Sequence, residues 1–306
     1  MLELPLITHP SYSFDFPAKH RFPMAKFGLL RDYLIEQGIA TRANLIRPGE
    51  ARAEVLEQAH CPEYLARFVS GAMSAAQIRR MGLPWSKALV KRTLISPNGT
   101  FLTAQLALKT GLACHLAGGT HHAHYDFASG YCILNDLAIA AKCLLAQDKI
   151  SSILIFDCDV HQGDGTATIL ANEPRAFTCS VHCDKNFPQR KATSDLDVNV
   201  PKGAADDEYL SIVGTTLNDV LDRVSPDIVI YDAGVDVYSE DPLGLLNVSL
   251  EGLRARDRLV LQTLRSANIP VATVIGGGYD KDQQALARRH AIVVEEAHNI
   301  VMCGSS

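Results

Sequence analysis

The chain has 306 residues, 47% of them hydrophobic and 21% charged, with a formal net charge of -5. That length suits one large α/β domain or two small ones. No apolar run approaches the ~18 residues of a membrane span, and no basic block marks a nucleic-acid surface. The opening MLELPLITHPSY has neither a basic n-region nor a continuous apolar core, so no signal peptide is expected. The eight cysteines form no CxxC pair. A zinc knuckle on Cys179 and Cys183 would need two more ligands nearby, so buried thiols are the favoured reading there, and in a long chain without a signal peptide reduced thiols in a cytoplasmic compartment are expected.

In chain order, one buried strand is expected near the start. Helical patterns run over 28–37, 50–71, 102–117 and 134–147, broken by Gly38, Pro48 and Gly118-Gly119. The second half alternates. Short apolar runs at 153–156, 176–181, 228–231 and 271–275 read as buried strands. Between them, 206–224 carries Leu210, Val213, Leu217, Val220 and Val224 at helical spacing, with Asp206 and Asp207 as candidate caps. Ser249 can cap a further helix with Leu253, Val260, Leu261 and Leu264, which must end near Asn268 because Pro270 follows. Repeated strand-helix-strand units predict a parallel sheet with helices on both faces. No repeat or linker interrupts the pattern, so a single domain over 1–306 is expected.

Four places carry chemistry, three of them at predicted strand ends. They are FDCDVHQGDG (156–165), the run Gly118 to His124 with His121 and His122, Tyr231 to Asp236, and Gly276-Gly277-Gly278-Tyr279. In open α/β sheets, sites form at the carboxyl ends of strands. Asp159 and His161 are two apart, so in an extended segment they point to the same side and make two legs of a zinc site. Taken singly, DxDxH is more often a solvated acidic loop, His121 and His122 loop histidines, Asp236 a turn residue and Tyr279 a half-buried tyrosine. Their joint occurrence in one sheet shifts the balance.

On GGTHHAHYDFASGYCILND (118–136), DCDVHQGDG (157–165), GVDVYSEDPLG (234–244) and GGGY (276–279), the chain resembles the histone deacetylase family of the arginase/deacetylase fold. HRFPMAKF (20–27), HCPEYL (60–65), RRMGLPWS (79–86) and NGT (98–100) point to its small class IV-like branch. The resemblance implies a three-layer α/β/α domain with about eight mostly parallel strands. It implies one catalytic Zn2+ on Asp159, His161 and Asp236, with an open position for water and substrate oxygen. His121 and His122 match the tandem catalytic histidines, partnered by Asp157 and Asp164 respectively. A partner carboxylate fixes an imidazole's tautomer and supports its charged form. Tyr279 matches the tyrosine that polarises the substrate carbonyl, and His122 is expected to carry the proton, with His121 tuning the site.

Gly130 and Tyr131 match a Gly-Phe pair that lines the substrate tunnel; here tyrosine replaces phenylalanine. Arg21, Phe22, Pro23 and Met24 match a loop near the inner end of the pocket. His124 is expected to have no catalytic role. A structural K+ near Asp157, Asp159, His161, Ser180 and Val181 is implied as well. The activity implied is removal of acetyl or longer acyl groups from lysine side chains or other acylated amines, with no direct nucleic-acid or membrane partner. Two alternatives stay open: a dimanganese ureohydrolase on the same fold, although Gly163 stands where a further metal carboxylate is typical, and a non-catalytic acyl-lysine binder.

Overall fold

The computed structural model describes residues 3–303, so the first two and last three residues of the expected 1–306 domain lie outside the described residues. The strands are β1 (Leu6–Ile7), β2 (Leu45–Ile46), β3 (Leu112–His115), β4 (Ile153–Asp157), β5 (Ala176–Cys183), β6 (Leu196–Val200), β7 (Ile228–Asp232) and β8 (Val271–Val274). They form one sheet in the order β2-β1-β3-β8-β7-β4-β5-β6. Every neighbouring pair is parallel. Every residue of β3, β4, β7 and β8 is buried, as a parallel sheet covered on both faces requires. The edge strand β6 is mostly half-buried.

The helices are α1 (Lys26–Glu36), α2 (Ala53–Leu56), α3 (Pro62–Ser70), α4 (Ala75–Met81), α5 (Lys87–Thr110), α6 (Asp136–Leu145), α7 (Asp164–Leu170), α8 (Asp206–Val224), α9 (Leu250–Ser266) and α10 (Gln283–Cys303). Contacts gather α5, α6 and α7 into one layer and α1, α8, α9 and α10 into another. Right-handed crossovers require this split, because β4 to β5 steps one way along the sheet and β7 to β8 the other. No helix among the described residues is long and apolar enough to cross a membrane.

The strands β4, β5, β7 and β8 and the helices α8 and α9 fall where the periodicity puts them, whereas β6, α7 and α10 were not expected. Helix α8 spans 206–224 as expected, but neither Asp206 nor Asp207 caps it: Ala205 is the N-cap, and Asp206 accepts from Ser249, whose Oγ accepts the Gly252 N–H at 3.0 Å to cap α9. Two first-half expectations need correction. The run 50–71 is two helices, split where Pro62 starts α3. The helix expected at 102–117 is the end of α5, which begins at Lys87 and runs through Pro97, followed by strand β3. Gly111, at φ +84°, ends α5 in a left-handed conformation that glycine adopts without penalty.

Candidate active site

The chemistry collects at the carboxyl ends of β3, β4, β7 and β8. Asp157 is the last residue of β4 and lies in register with Asp232 of β7 on one side and Ser180 of β5 on the other. The β3–α6 loop carries His121 and His122, and the first residues of α6 brace it. Asp136 accepts N–H bonds from Gly119 at 3.1 Å and Thr120 at 2.7 Å, and a hydroxyl bond from Thr100 at 2.5 Å. The Asn135 side chain donates to the carbonyls of His121 and Ala123 at 3.2 and 3.1 Å while its Oδ1 caps α6.

Both histidines are buried, with ring centroids 4.1 Å apart. His121 Nδ1 donates to Asp157 Oδ2 at 2.7 Å, and His122 Nδ1 to Asp164 Oδ1 at 2.6 Å. A carboxylate only accepts, so each contact puts the proton on Nδ1 and leaves Nε2 as the basic atom of the neutral ring. Burial acts to lower both pKa values. At His121 the charges of Asp157 and Asp159 outweigh it and hold the imidazole well above its ordinary value. At His122 burial, joined by the charge of His121, wins over Asp164 and brings the pKa down to about 4. His124 is a second partner of Asp164, at 3.1 Å, and stacks on Phe127.

Asp159, His161 and Asp236 come together with their potential ligand atoms all within 4.8 Å of one another. His161 Nδ1 is 3.0 Å from Asp159 Oδ1 and 3.1 Å from Asp236 Oδ2. The remaining carboxylate oxygens are held by backbone: Val160 N–H donates to Asp236 Oδ1 at 2.9 Å and Gly277 N–H to Asp159 Oδ2 at 2.6 Å. Asp236 Oδ2 is buried and takes no hydrogen bond of acceptable angle, which fits an atom directed at a cation. A Cβ on Gly277 would stand 2.2 Å from that oxygen. The two carboxylates overcome burial and raise His161 to about 10, so a metal taken up there would have to displace a proton. Two carboxylates and one imidazole are a donor set that zinc accepts.

Tyr279, Gly130 and Tyr131 line the same space. A Cβ on Gly130 would meet the His122 ring at 2.5 Å, so only glycine leaves that imidazole in place. The Tyr131 ring lies 5.8 Å from that of Tyr279. Of the expected inner-loop residues, Phe22 lines the inner cavity, whereas Pro23 and Met24 are buried away from it and Arg21 is exposed. Ser180 Oγ is engaged by Gly163 N–H at 3.4 Å and His182 Nδ1 at 3.0 Å, and Val181 is buried.

Several site residues escaped the sequence reading. Phe187 sets its ring 4.7 Å from His122 at the mouth. Lys26 and Arg92 reach the inner cavity from α1 and α5. Lys26 Nζ donates to the Gly278 carbonyl at 3.2 Å and lies 3.0 Å from His290 Nε2, and burial lowers its pKa to about 8. Asp232 belongs to a second group of converging donors with His121 and Asp157; both its oxygens are buried without a hydrogen bond. Burial, then the charge of Asp157, pushes its carboxyl well above the ordinary range. Asp232 lies within the run Tyr231 to Asp236 already marked as chemical, but was given no role of its own. For Phe187, Lys26 and Arg92 there was no signal beyond residue type.

A histone deacetylase domain model matches residues 20–296. The chain is 48% identical over 296 residues to an uncharacterized protein of Picosynechococcus sp., covering 97% of this chain and 99% of that one. It is 30% identical to histone deacetylase 2 of Arabidopsis thaliana, over 90% of this chain and 74% of the relative. It is 28% identical to the acetoin utilization protein AcuC of Staphylococcus aureus, over 87% and 74% of the two chains. The HDA15 HD domain crystal structure superposes with a TM-score of 0.77 at 20% identity, covering 97% of this chain and 90% of that one. That likeness concerns the fold, an eight-stranded α/β architecture of the arginase/deacetylase type. The sheet, its strand-end residues and the match over most of the chain lead to one conclusion: this protein belongs to the histone deacetylase family.

Proposed function

We propose that this chain is a zinc-dependent amidohydrolase that removes an acyl group from an acylated amine, lysine side chains included, and that residues 1–306 form its single catalytic domain. The observation that carries the reading is the pairing of two buried His–Asp couples, at 2.7 and 2.6 Å, beside the converging donors of Asp159, His161 and Asp236. Zinc held by those three residues supplies Lewis-acid chemistry, polarising a carbonyl and acidifying water. The protein supplies the rest. His122, neutral at pH 7, accepts a proton at Nε2 and returns it to the departing amine; such acid–base help is worth roughly 10² to 10⁴-fold. His121 stays charged between Asp157 and Asp159 and supports negative charge developing beside it. The buried phenol of Tyr279, kept protonated by burial and the nearby carboxylates, donates to the oxyanion.

The inner cavity has a volume of about 40 Å³, against about 430 Å³ for the mouth. That supports an acetyl-sized group over a long acyl chain, which would have to displace Phe22 or Tyr131. A structural K+ near Asp157, Asp159, His161, Ser180 and Val181 is part of the proposal; it would offset the crowding of carboxylates at the end of β4. A dimanganese reading is disfavoured at Gly163, where even a Cβ would stand 2.5 Å from Asp157 Oδ2. The test is metal content together with turnover of acetyl-lysine peptides, acetylated polyamines and longer-chain acyl peptides. One zinc per chain with acetyl turnover supports the reading. Two manganese ions, or zinc without any amide hydrolysis, overturns it.

A further inference from the structure

The mouth of the site carries a charge opposite to that of the chain as a whole. The chain has a formal net charge of -5, yet the charged side chains lining the outer cleft are Arg79 and Arg80, beside His122 and His161, and none of the lining residues is a carboxylate. Both arginines are exposed and sit in the last turn of α4. A helix C-terminus is an ordinary place for solvated cations, so position alone would say nothing. Two contacts set this pair apart. The C-terminal end of α4 is fastened to the tunnel wall: Tyr131 N–H donates to the Met81 carbonyl at 3.1 Å, and the Tyr131 ring packs so closely on Gly82 that a Cβ there would stand 2.9 Å from it. The Arg80 guanidinium lies 4.8 Å from the Phe127 ring centroid, over a ring that stacks on His124, itself bonded to Asp164. Among the described residues neither guanidinium has a carboxylate within ion-pair distance. The Arg80 charge therefore stands at a fixed place beside the tunnel, and Arg79, exposed on the same anchored helix end, adds a second, both unneutralised.

We infer that Arg79 and Arg80 form an anion-selecting rim, and that the substrate is an acylated amine whose chain carries a carboxylate at its far end, where it leaves the tunnel, and not a polycation. This inference rests on the deacylase reading of the site. The carboxylate has two possible sources: an acidic residue flanking acyl-lysine in a peptide, or the free carboxylate of a small N-acylated amino acid. Either would be drawn to the rim, whereas a polyamine or a Lys/Arg-rich tail would be repelled by it. Rim charges act mainly on encounter and are sensitive to salt.

The experiment compares kcat/KM of the zinc-loaded full chain on matched substrates. One set is acetyl-lysine peptides with acidic, neutral or basic neighbours. Another is Nε-acetyl-lysine with a free carboxylate or as its amide, and N-acetylspermidine completes the panel. The expected result is a preference of about tenfold or more for acidic over basic peptides at low salt. It should shrink toward unity as ionic strength passes ~0.1 M, where the screening length is about 10 Å. Arg79→Glu/Arg80→Glu should invert the ratio, and Arg79→Gln/Arg80→Gln should bring it near one. Preference for the free acid over the amide assigns the small-molecule source; preference confined to peptides assigns the flanking residue. Equal rates on acidic and basic peptides, a faster rate on N-acetylspermidine, or a preference that survives in both variants overturns the inference. Absence of turnover on every substrate would instead sink the deacylase reading. In that case fluorescence-polarisation binding of the same acidic and basic peptides still decides the rim, with equal affinities counting against it.

Discussion

The inner and outer halves of the site use the same parts to opposite effect. At the inner half, His121 sits at the strand ends of β4 and β7 among Asp157, Asp159 and Asp232, and its imidazole is held charged. At the outer half, His122 has Asp164, at the first turn of α7, and faces Phe187; its pKa falls to about 4. The two residues are adjacent in sequence and equally buried, and each has one short carboxylate bond. What separates them is the count of charges nearby: further carboxylates for His121, the charged His121 itself for His122. A His–Asp couple is therefore not a unit of fixed function. Its protonation follows from the second and third neighbours, and one tandem pair can favour the charged form of one ring and the neutral form of the other.

The largest effect should come from removing a carboxylate of the Asp159–His161–Asp236 group. Asp236→Ala should lose metal and turnover together, by more than the roughly 10 to 10²-fold typical of groups that merely orient ligands. Metal analysis after gel filtration, beside a turnover assay, checks this; normal zinc content with full activity would remove Asp236 from the ligand set. Next, His122→Ala should lower kcat by about 10² to 10⁴-fold, and His121→Ala by less. The opposite ranking would break the comparison outright and exchange the two roles. Tyr279→Phe should lower kcat by about 10² to 10³-fold, with KM nearly constant; a raised KM at constant kcat would mark the phenol as a tunnel wall.

The smallest effect sharpens the comparison most. His122 is the base form above a pKa of about 4, so the acid limb of kcat/KM lies low, and activity falls as pH drops through it. Asp164 raises that pKa, by its hydrogen bond and its charge. Asp164→Asn should therefore shift the acid limb to lower pH while reducing the plateau about tenfold through a less settled tautomer. A shift to higher pH would show that the acid limb belongs to another group of the coupled site.

How much of this was legible in the sequence depended on local periodicity. The strands β4, β5, β7 and β8 read directly, because β-branched runs end abruptly in polar residues. The ligand candidates followed from spacing and from the family resemblance. In the first half, LACH of β3 is four apolar or amphipathic residues directly after a helix, and a run that short does not reveal its own period. Pro97 hid the first half of α5, since an interior proline usually ends a helix. The opposite states of His121 and His122 depend on which carboxylates the sheet register sets beside each ring. The inner-cavity cations Lys26 and Arg92 could not be read at all, because their burial depends on helices packed from distant parts of the chain.

The bond from Lys26 to the Gly278 carbonyl has a consequence for how the molecule is made. Lys26 opens α1, Gly278 precedes Tyr279, and His290, which completes the cluster, lies in α10. The buried ammonium of Lys26 thus meets its partners only once Gly278 and His290, 252 and 264 residues further on, have been made. Contacts of such long sequence separation form slowly, after the loops between them have closed. During synthesis α1 is left with an unmatched ammonium group, so the backbone turn that presents Tyr279 gains its support late. The sheet can assemble before the tyrosine is set. The turn that presents Tyr279 is therefore secured only when residues 252 apart in the chain have met.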